Sequence, residues 1–175
     1  KLYDAFVTQY DADDPQSLRY LNILCVRLVF CLYAEDAGIF GKRDMFHDFL
    51  AHYQTEDMRM ALVQLFEVLN TPADKRSKYL NPSLAAFPYT NGGLFAEQID
   101  IPQFTDELRE TLLQHASLDF DWSEISPTIF GGVFESTLNP ETRRSGGMHY
   151  TSIENIHKVI DPLFYNDLLT AFEDC

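Results

Sequence analysis

The chain has 175 residues, of which 46% are hydrophobic and 14% aromatic, so it can bury a core without metal or disulfide support. This composition excludes the disordered, collagen-like and low-complexity classes. With 13 basic against 27 acidic residues, the formal charge of −14 argues against a broad surface for DNA or anionic membranes, although it permits a short local contact.

The N-terminal part of the chain predicts a short helix followed by a long one. Residues 2–10 have apolar side chains clustered on one side, and Asp14 with Pro15 provides an N-cap and a first-turn residue for the second helix. That helix extends to about Ala37 and is apolar nearly all round, which is typical of a packed central helix or of a membrane span. The charge of Arg27 near its middle favours the packed helix.

The next segment combines two amphipathic helices with a region rich in turn signals. Residues 45–53 and 55–69 carry apolar side chains at the three-and-four spacing of helices. Residues 71–104 contain four prolines, and the Asn-Gly-Gly sequence at 91–93 is a strong turn signal. We therefore predict a short irregular or hairpin-like excursion around 81–104. The glycines at the turn could cradle a phosphate, but a tight turn explains them better.

Helical patterns continue through the last third of the chain. They cover residues 105–115, 127–138 and 151–172, with breaks at proline-containing sequences. The complete pattern predicts a mainly α fold, in which several helices share a single core. We divide it into a helical domain over residues 1–138, followed over 139–175 by a linker and the first helices of a second domain.

Cysteine and histidine spacing indicates no metal site. Cys25, Cys31 and Cys175 form no Cys-x-x-Cys pair, so we expect reduced thiols in a cytoplasmic protein. The five histidines form no ligand set either. No arrangement of nucleophile, base and orienting group stands out, so we predict no catalytic residue and no metal ligand within this chain.

The charged residues of the long apolar helix include Arg27, Glu35 and Asp36. Glu35 and Asp36 are neighbours, and adjacent side chains point about 100° apart on a helix, which disfavours joint acid–base catalysis. Two interpretations of these carboxylates remain open: a buried partner for Arg27, or a cap for the turn that follows. Arg27 itself is interpreted as part of a core salt bridge.

The sequence most suggestive of ligand binding is Arg-Arg-Ser-Gly-Gly-Met-His-Tyr-Thr-Ser at residues 143–152. Its glycines would let a ligand approach the backbone, and Thr151 with Glu154 forms a capping box whose helix N-terminus suits a carboxylate or phosphate. An aromatic side chain beside it can lie against an adenine or a sulfonium group. An ordinary glycine-rich linker before a capped helix fits the same residues.

Together with residues 125–135, this sequence resembles the segment leading into the methyltransferase domain of MmeI-like enzymes. Those are single-chain restriction–modification proteins of type IIG/IIL and related adenine-specific DNA methyltransferases. Two further sequences resemble the helical spacer domain of that family, namely Tyr-Ala-Glu-Asp-Ala-Gly-Ile-Phe at 33–40 and Tyr-Thr-Asn-Gly-Gly-Leu-Phe at 89–95. The resemblance covers nearly the whole chain, and the Gly-Met-His-Tyr-Thr-Ser motif is its most specific part.

The resemblance implies a helical spacer that positions the methyltransferase domain of the same chain. It implies a parent enzyme that transfers methyl groups from S-adenosylmethionine to adenine in duplex DNA, and that can also carry an endonuclease domain. His149, Tyr150 and Thr151 would then lie at the S-adenosylmethionine site, while Arg143 and Arg144 would contact DNA or the adjoining domain.

The same resemblance implies that these residues do not catalyse methyl transfer by themselves. A glycine-rich cofactor loop and the Asn/Asp-Pro-Pro-Tyr/Phe motif that holds a flipped adenine are both missing from the sequence. Partners expected from the resemblance are the methyltransferase domain and, through the full-length protein, duplex DNA; no membrane is expected. Two alternatives stay open: a free-standing acidic interaction protein or DNA mimic, and an unrecognised small enzyme.

Overall fold

The computed structural model describes residues 2–11, 13–90 and 93–126. Within these ranges the chain forms helices and turns and no strand, which confirms the predicted mainly α fold. The α-helices in chain order are α1 (Leu2–Val7), α2 (Pro15–Asp36), α3 (Met45–Ala51), α4 (Met58–Leu69), α5 (Pro82–Ala85) and α6 (Asp106–Glu110). Helix α6 continues as a π-helical segment over Thr111–Leu118, and single 3-10 turns cover Thr55–Asp57, Ala73–Lys75 and Trp122–Glu124.

Helix α2 is the central element and begins where the sequence predicts. The Asp14 carboxylate accepts hydrogen bonds from the backbone N–H groups of Gln16 at 3.2 Å and Ser17 at 2.9 Å, and Pro15 occupies the first turn. The helix ends at Asp36, and Gly38 then takes a left-handed conformation with φ of 72°. A glycine in this conformation just after the last turn is a common helix termination.

By length and apolar composition alone, α2 is also able to cross a membrane, a test that buried core helices pass as well. The burial of α2 favours a core helix, because half of its most apolar 18-residue stretch is buried within the protein. Buried α2 residues include both apolar and charged types, namely Leu21, Ile23, Leu24, Val26, Arg27, Leu28, Cys31, Leu32, Ala34 and Glu35.

An aromatic cluster joins the excursion to the helices. Phe87 lies edge-on to Phe40 at 5.2 Å and to Phe49 at 5.5 Å between ring centroids, and Phe95 lies 5.7 Å from Phe30. Edge-to-face pairs of this kind add about 0.5–1.5 kcal/mol beyond simple burial. The excursion is therefore irregular but well packed, with the short helix α5 and turns in place of a hairpin.

The described residues up to Glu124 fall within one compact unit, Lys1–Glu124. The predicted boundary between residues 138 and 139 lies outside the described residues. This helical unit contains the whole of α1 to α6.

Candidate functional site

The residues predicted to bind S-adenosylmethionine and DNA lie outside the described residues. His149, Tyr150 and Thr151, with Arg143 and Arg144, all follow the last described residue, so their roles stay predictions. Among the described residues, no group of three or more His, Cys, Asp or Glu side chains could hold a metal ion. The polar chemistry of the described part instead centres on buried charges that tie helices to loops.

Arg27 is buried at the centre of this chemistry, with 2% of its surface exposed. Its Nε donates to the backbone oxygen of Leu94 at 2.9 Å, and its Nη2 donates to that of Glu97 at 2.6 Å. The guanidinium also lies 5.3 Å from the ring centre of Phe66 and 5.6 Å from that of Phe95. Burial lowers the pKa of Arg27 to about 10, so the side chain is charged at neutral pH.

The predicted core salt bridge of Arg27 is wrong, because its guanidinium bonds to backbone oxygens and not to a carboxylate. The carboxylate of Glu97 pairs instead with Arg19, at 2.6 Å and at an exposed position. Backbone carbonyl oxygens carry enough partial negative charge to accept from a buried guanidinium, and a planar fork can reach two of them at once. Arg27 therefore fixes the path of the loop after residue 93 against α2.

Glu35, the penultimate residue of α2, acts as a cap and not as the partner of Arg27. Its Oε2 accepts from the backbone N–H groups of Phe46 and His47, both at 2.9 Å, and its Oε1 accepts from Ser117 Oγ at 3.0 Å. Those two N–H groups belong to the first turn of α3, whose preceding residue makes no side-chain cap. One carboxylate thus joins α2, α3 and the π-helical segment.

Burial raises the pKa of Glu35, and the hydrogen bonds from His47, Ser117 and Phe46 only partly oppose that effect. Asp36 points elsewhere and accepts from the backbone N–H of Trp122 at 2.8 Å. The two neighbouring carboxylates therefore serve separate contacts, as the helical geometry predicts, and they do not form a catalytic pair.

Three more arginines bind backbone carbonyl oxygens in the same way, and the sequence analysis missed them. Arg59 donates to Ile101 at 2.6 Å, and Arg109 donates to Tyr53 at 3.1 Å and to Ala51 at 3.3 Å. The sequence offered no direct signal, since each arginine lies on an element whose other residues include ordinary surface charges.

Arg76 makes the densest set of these contacts. Its guanidinium donates to the backbone oxygens of Thr71 and Val68 at 2.9 Å, of Phe87 at 2.7 Å and of Ala85 at 3.3 Å. It therefore ties the turn after α4 to the end of α5. No buried side-chain nitrogen or oxygen in the described part of the chain lacks a hydrogen-bond partner.

The described cysteines lack the features of reactive thiols. Cys25 and Cys31 are both free. Burial raises the pKa of Cys25 to about 11, and it raises the pKa of the fully buried Cys31 well above its usual value. Both thiols therefore stay protonated at neutral pH and contribute to packing, because the thiolate is the nucleophilic form.

Residues 19–95 match the family model described as "MmeI, helicase spacer domain". Over this segment the chain is similar to the MmeI spacer domain. The matched segment contains most of α2 and the whole of α3 to α5, with the side chains of Arg27, Glu35 and Arg76.

Two relatives extend the comparison beyond the spacer segment. DNA methyltransferase A of Bacillus subtilis (strain 168) is 37% identical over 175 residues, which cover 99% of this chain and 19% of that protein. A solved structure of the Type IIL restriction-modification enzyme MmeI in complex with DNA is 42% identical, with a TM-score of 0.63, and the match covers 99% of this chain and 22% of that one. The chain thus spans about a fifth of the length of these relatives.

Proposed function

We propose that this chain is the helical spacer of a longer DNA methyltransferase of the restriction–modification type. The observation that supports this most directly is the match of residues 19–95, within the helical unit, to the family model of the MmeI spacer domain. The spacer would hold the methyltransferase domain at a fixed distance and angle from any domain upstream.

The contacts around α2 suit that mechanical role. Three of the buried or half-buried arginines and Glu35 join segments that are distant in sequence, as in the 67-residue separation between Arg27 and Leu94. A rigid element preserves geometry between two domains better than a flexible loop does. The turns and short helices of this unit are therefore tied to its longer helices by hydrogen bonds.

The finer part of the proposal concerns the cofactor and the base. We propose that the parent protein uses S-adenosylmethionine, which supplies the methyl group, and modifies the N6 amino group of adenine in duplex DNA. His149, Tyr150 and Thr151 would form the first segment of the cofactor site, with Arg143 and Arg144 close to DNA or to the adjoining domain. Support comes from the sequence motif and from the similarity of the chain to a DNA methyltransferase over 99% of its length. We further propose a cytoplasmic location.

Calorimetric titration with S-adenosylmethionine tests the cofactor proposal. We expect the full-length gene product to bind the cofactor and residues 1–175 alone to show no binding, because most of the site lies in the methyltransferase domain. Tyr150→Ala in the full-length protein should weaken binding by about tenfold, the size of a lost aromatic contact to a sulfonium or an adenine. Tyr79→Ala is the matched control, since Tyr79 is 85% exposed in the helical unit.

Tight binding to residues 1–175 alone would mean that the cofactor pocket is complete within them. That result would contradict the spacer assignment, as would equal cofactor affinity for the Tyr150→Ala variant and the unaltered full-length protein.

A further inference from the structure

The segment from Ala73 to Leu80 is a basic surface within an acidic protein. It contains Lys75, Arg76 and Lys78 with one acidic residue, Asp74, so its net charge is +2 in a chain of −14. Beside them, Tyr79 is 85% exposed, more than any other large hydrophobic side chain among the described residues. We call Lys75, Lys78 and Tyr79 the basic patch.

The lysines of the basic patch differ from the other basic residues in having no acidic partner. The described residues include nine lysines and arginines. Arg19, Lys42 and Arg43 pair with carboxylates, while Arg27, Arg59, Arg76 and Arg109 donate to backbone oxygens. Within the described part of the chain, Lys75 and Lys78 alone have neither kind of partner, although 27 acidic residues are available in the sequence.

The basic patch is held in place by its own neighbour. Arg76, between the two lysines, bonds to four backbone oxygens below the segment, as described above. The backbone N–H of Tyr79 bonds to Ser77 Oγ at 3.2 Å, and that of Leu80 to the oxygen of Ser77 at 3.1 Å. A fixed backbone that presents two free ammonium groups loses little order on binding a ligand.

Tyr79 completes the surface in a way that favours nucleic acid. The Nζ of Lys78 lies 5.1 Å from the centre of the Tyr79 ring, so the cation and the aromatic side chain share one exposed site. Lysine ammonium groups and tyrosine hydroxyls are both common donors to DNA phosphates. A polar groove of about 540 Å³ adjoins the patch, lined by Lys75, Tyr79 and Asn81 together with the acidic Glu67.

We propose that the basic patch binds the phosphate backbone of duplex DNA, independently of base sequence. The proposal rests on the proposed function, in which the parent protein acts on duplex DNA. The acidic remainder of the unit repels phosphate, so the contact is short and involves two cations. The spacer would then position the DNA as well as the methyltransferase domain.

Salt-dependent DNA binding by the full-length protein tests this proposal. The fluorescence anisotropy of a labelled duplex would be measured at several salt concentrations for the unaltered protein and for Lys75→Ala/Lys78→Ala. Each lost phosphate contact lowers the slope of log affinity against log salt by about 0.9, so we expect the slope to fall by about 2. Affinity at about 50 mM salt should fall by about tenfold or more, equally for all sequences.

Two further variants separate a local contact from net charge. Lys42→Ala/Arg43→Ala removes the same two charges from another exposed surface, and we expect its slope and affinity to match those of the unaltered protein. Lys75→Arg/Lys78→Arg keeps both charges and should keep the slope. Because Lys75 and Lys78 are exposed and unpaired among the described residues, thermal melting of both of their double variants should match that of the unaltered protein.

An unchanged slope and affinity in the Lys75→Ala/Lys78→Ala protein would overturn the proposal, even where adenine methylation persists. The proposal would also fall if the variant lost affinity for an acidic protein partner but bound DNA normally, or if both double alanine variants lost DNA affinity equally. Full-length protein that binds no duplex at all would overturn this inference together with the proposed function.

Discussion

Replacement of Arg27 by methionine is expected to lower the free energy of unfolding by about 3–5 kcal/mol, because it removes two charge-assisted hydrogen bonds and leaves buried carbonyl oxygens without donors. Methionine keeps most of the length and apolar contact of the side chain, so cavity formation contributes little. The Leu94 oxygen would lose a donor at 2.9 Å and that of Glu97 a donor at 2.6 Å. Urea denaturation of the helical unit measures the change.

Two control variants show whether the fork of Arg27 matters as proposed. Arg27→Lys keeps the charge but cannot bridge both oxygens, so we expect about half of the full loss. Arg19→Met breaks an exposed ion pair with Glu97 and should cost less than about 1 kcal/mol. A free energy of unfolding of Arg27→Met within about 1 kcal/mol of that of the unaltered protein would show that the loop does not depend on the hydrogen bonds of Arg27.

Replacement of Glu35 by alanine is expected to lower the free energy of unfolding by about 3–4 kcal/mol. The carboxylate accepts from Phe46, His47 and Ser117, and a buried donor without its acceptor costs about 1–3 kcal/mol. Asp36→Ala is the matched control, because it removes a single bond, from Trp122, and should cost about 1 kcal/mol. Equal losses from the two variants would contradict the role of Glu35 as a three-way acceptor.

The pH dependence of the same site has a defined sign. Burial raises the pKa of Glu35 above its ordinary value of 4.5, so the native state holds this proton more tightly than the unfolded state does. Its contribution to stability is therefore fully present below pH 4.5 and is lost as the pH rises through the raised pKa. The lowered pKa values of Asp14, Asp48, Asp119 and Asp121 act in the opposite direction, below pH 3.8.

Glu35→Gln isolates this effect, because glutamine does not titrate. We expect the stability of the unaltered protein, relative to Glu35→Gln, to decrease as the pH rises from 4.5, and to be constant below it. Urea denaturation across that pH window measures the difference. A difference that stays constant or increases with pH would show that hydrogen bonding outweighs burial at Glu35.

The helical framework was predictable from local signals. Asp14 and Pro15 correctly predicted the start of α2, and the apolar periodicity correctly predicted α3 and α4 to within a few residues. The short α5 was missed inside the excursion, although Asn81 and Pro82 are a typical cap and first-turn pair. The π-helical continuation of α6 was also missed, since the sequence shows ordinary helical spacing there.

The long-range polar contacts were not predictable from local signals. The acceptors of Arg27 are backbone oxygens, which every residue possesses, and they lie 67 and 70 positions away along the chain. The sequence left two roles open for Glu35, as a partner of Arg27 or as a cap. Choosing the cap required the position of α3. In the sequence Arg76 looks like a surface charge, because it lies beside Lys75 and Lys78, and those two lysines are indeed exposed.

A methyl-transfer assay of the full-length gene product tests whether this chain is part of an adenine-specific DNA methyltransferase. The protein would be incubated with duplex DNA and S-adenosylmethionine labelled in its methyl group, and the DNA digested to nucleosides. We expect label in N6-methyladenine, and none when residues 1–175 are used alone. Label in cytosine, or no transfer by the full-length protein under conditions in which it binds both cofactor and DNA, would contradict the assignment of this chain as the spacer of an adenine-specific DNA methyltransferase.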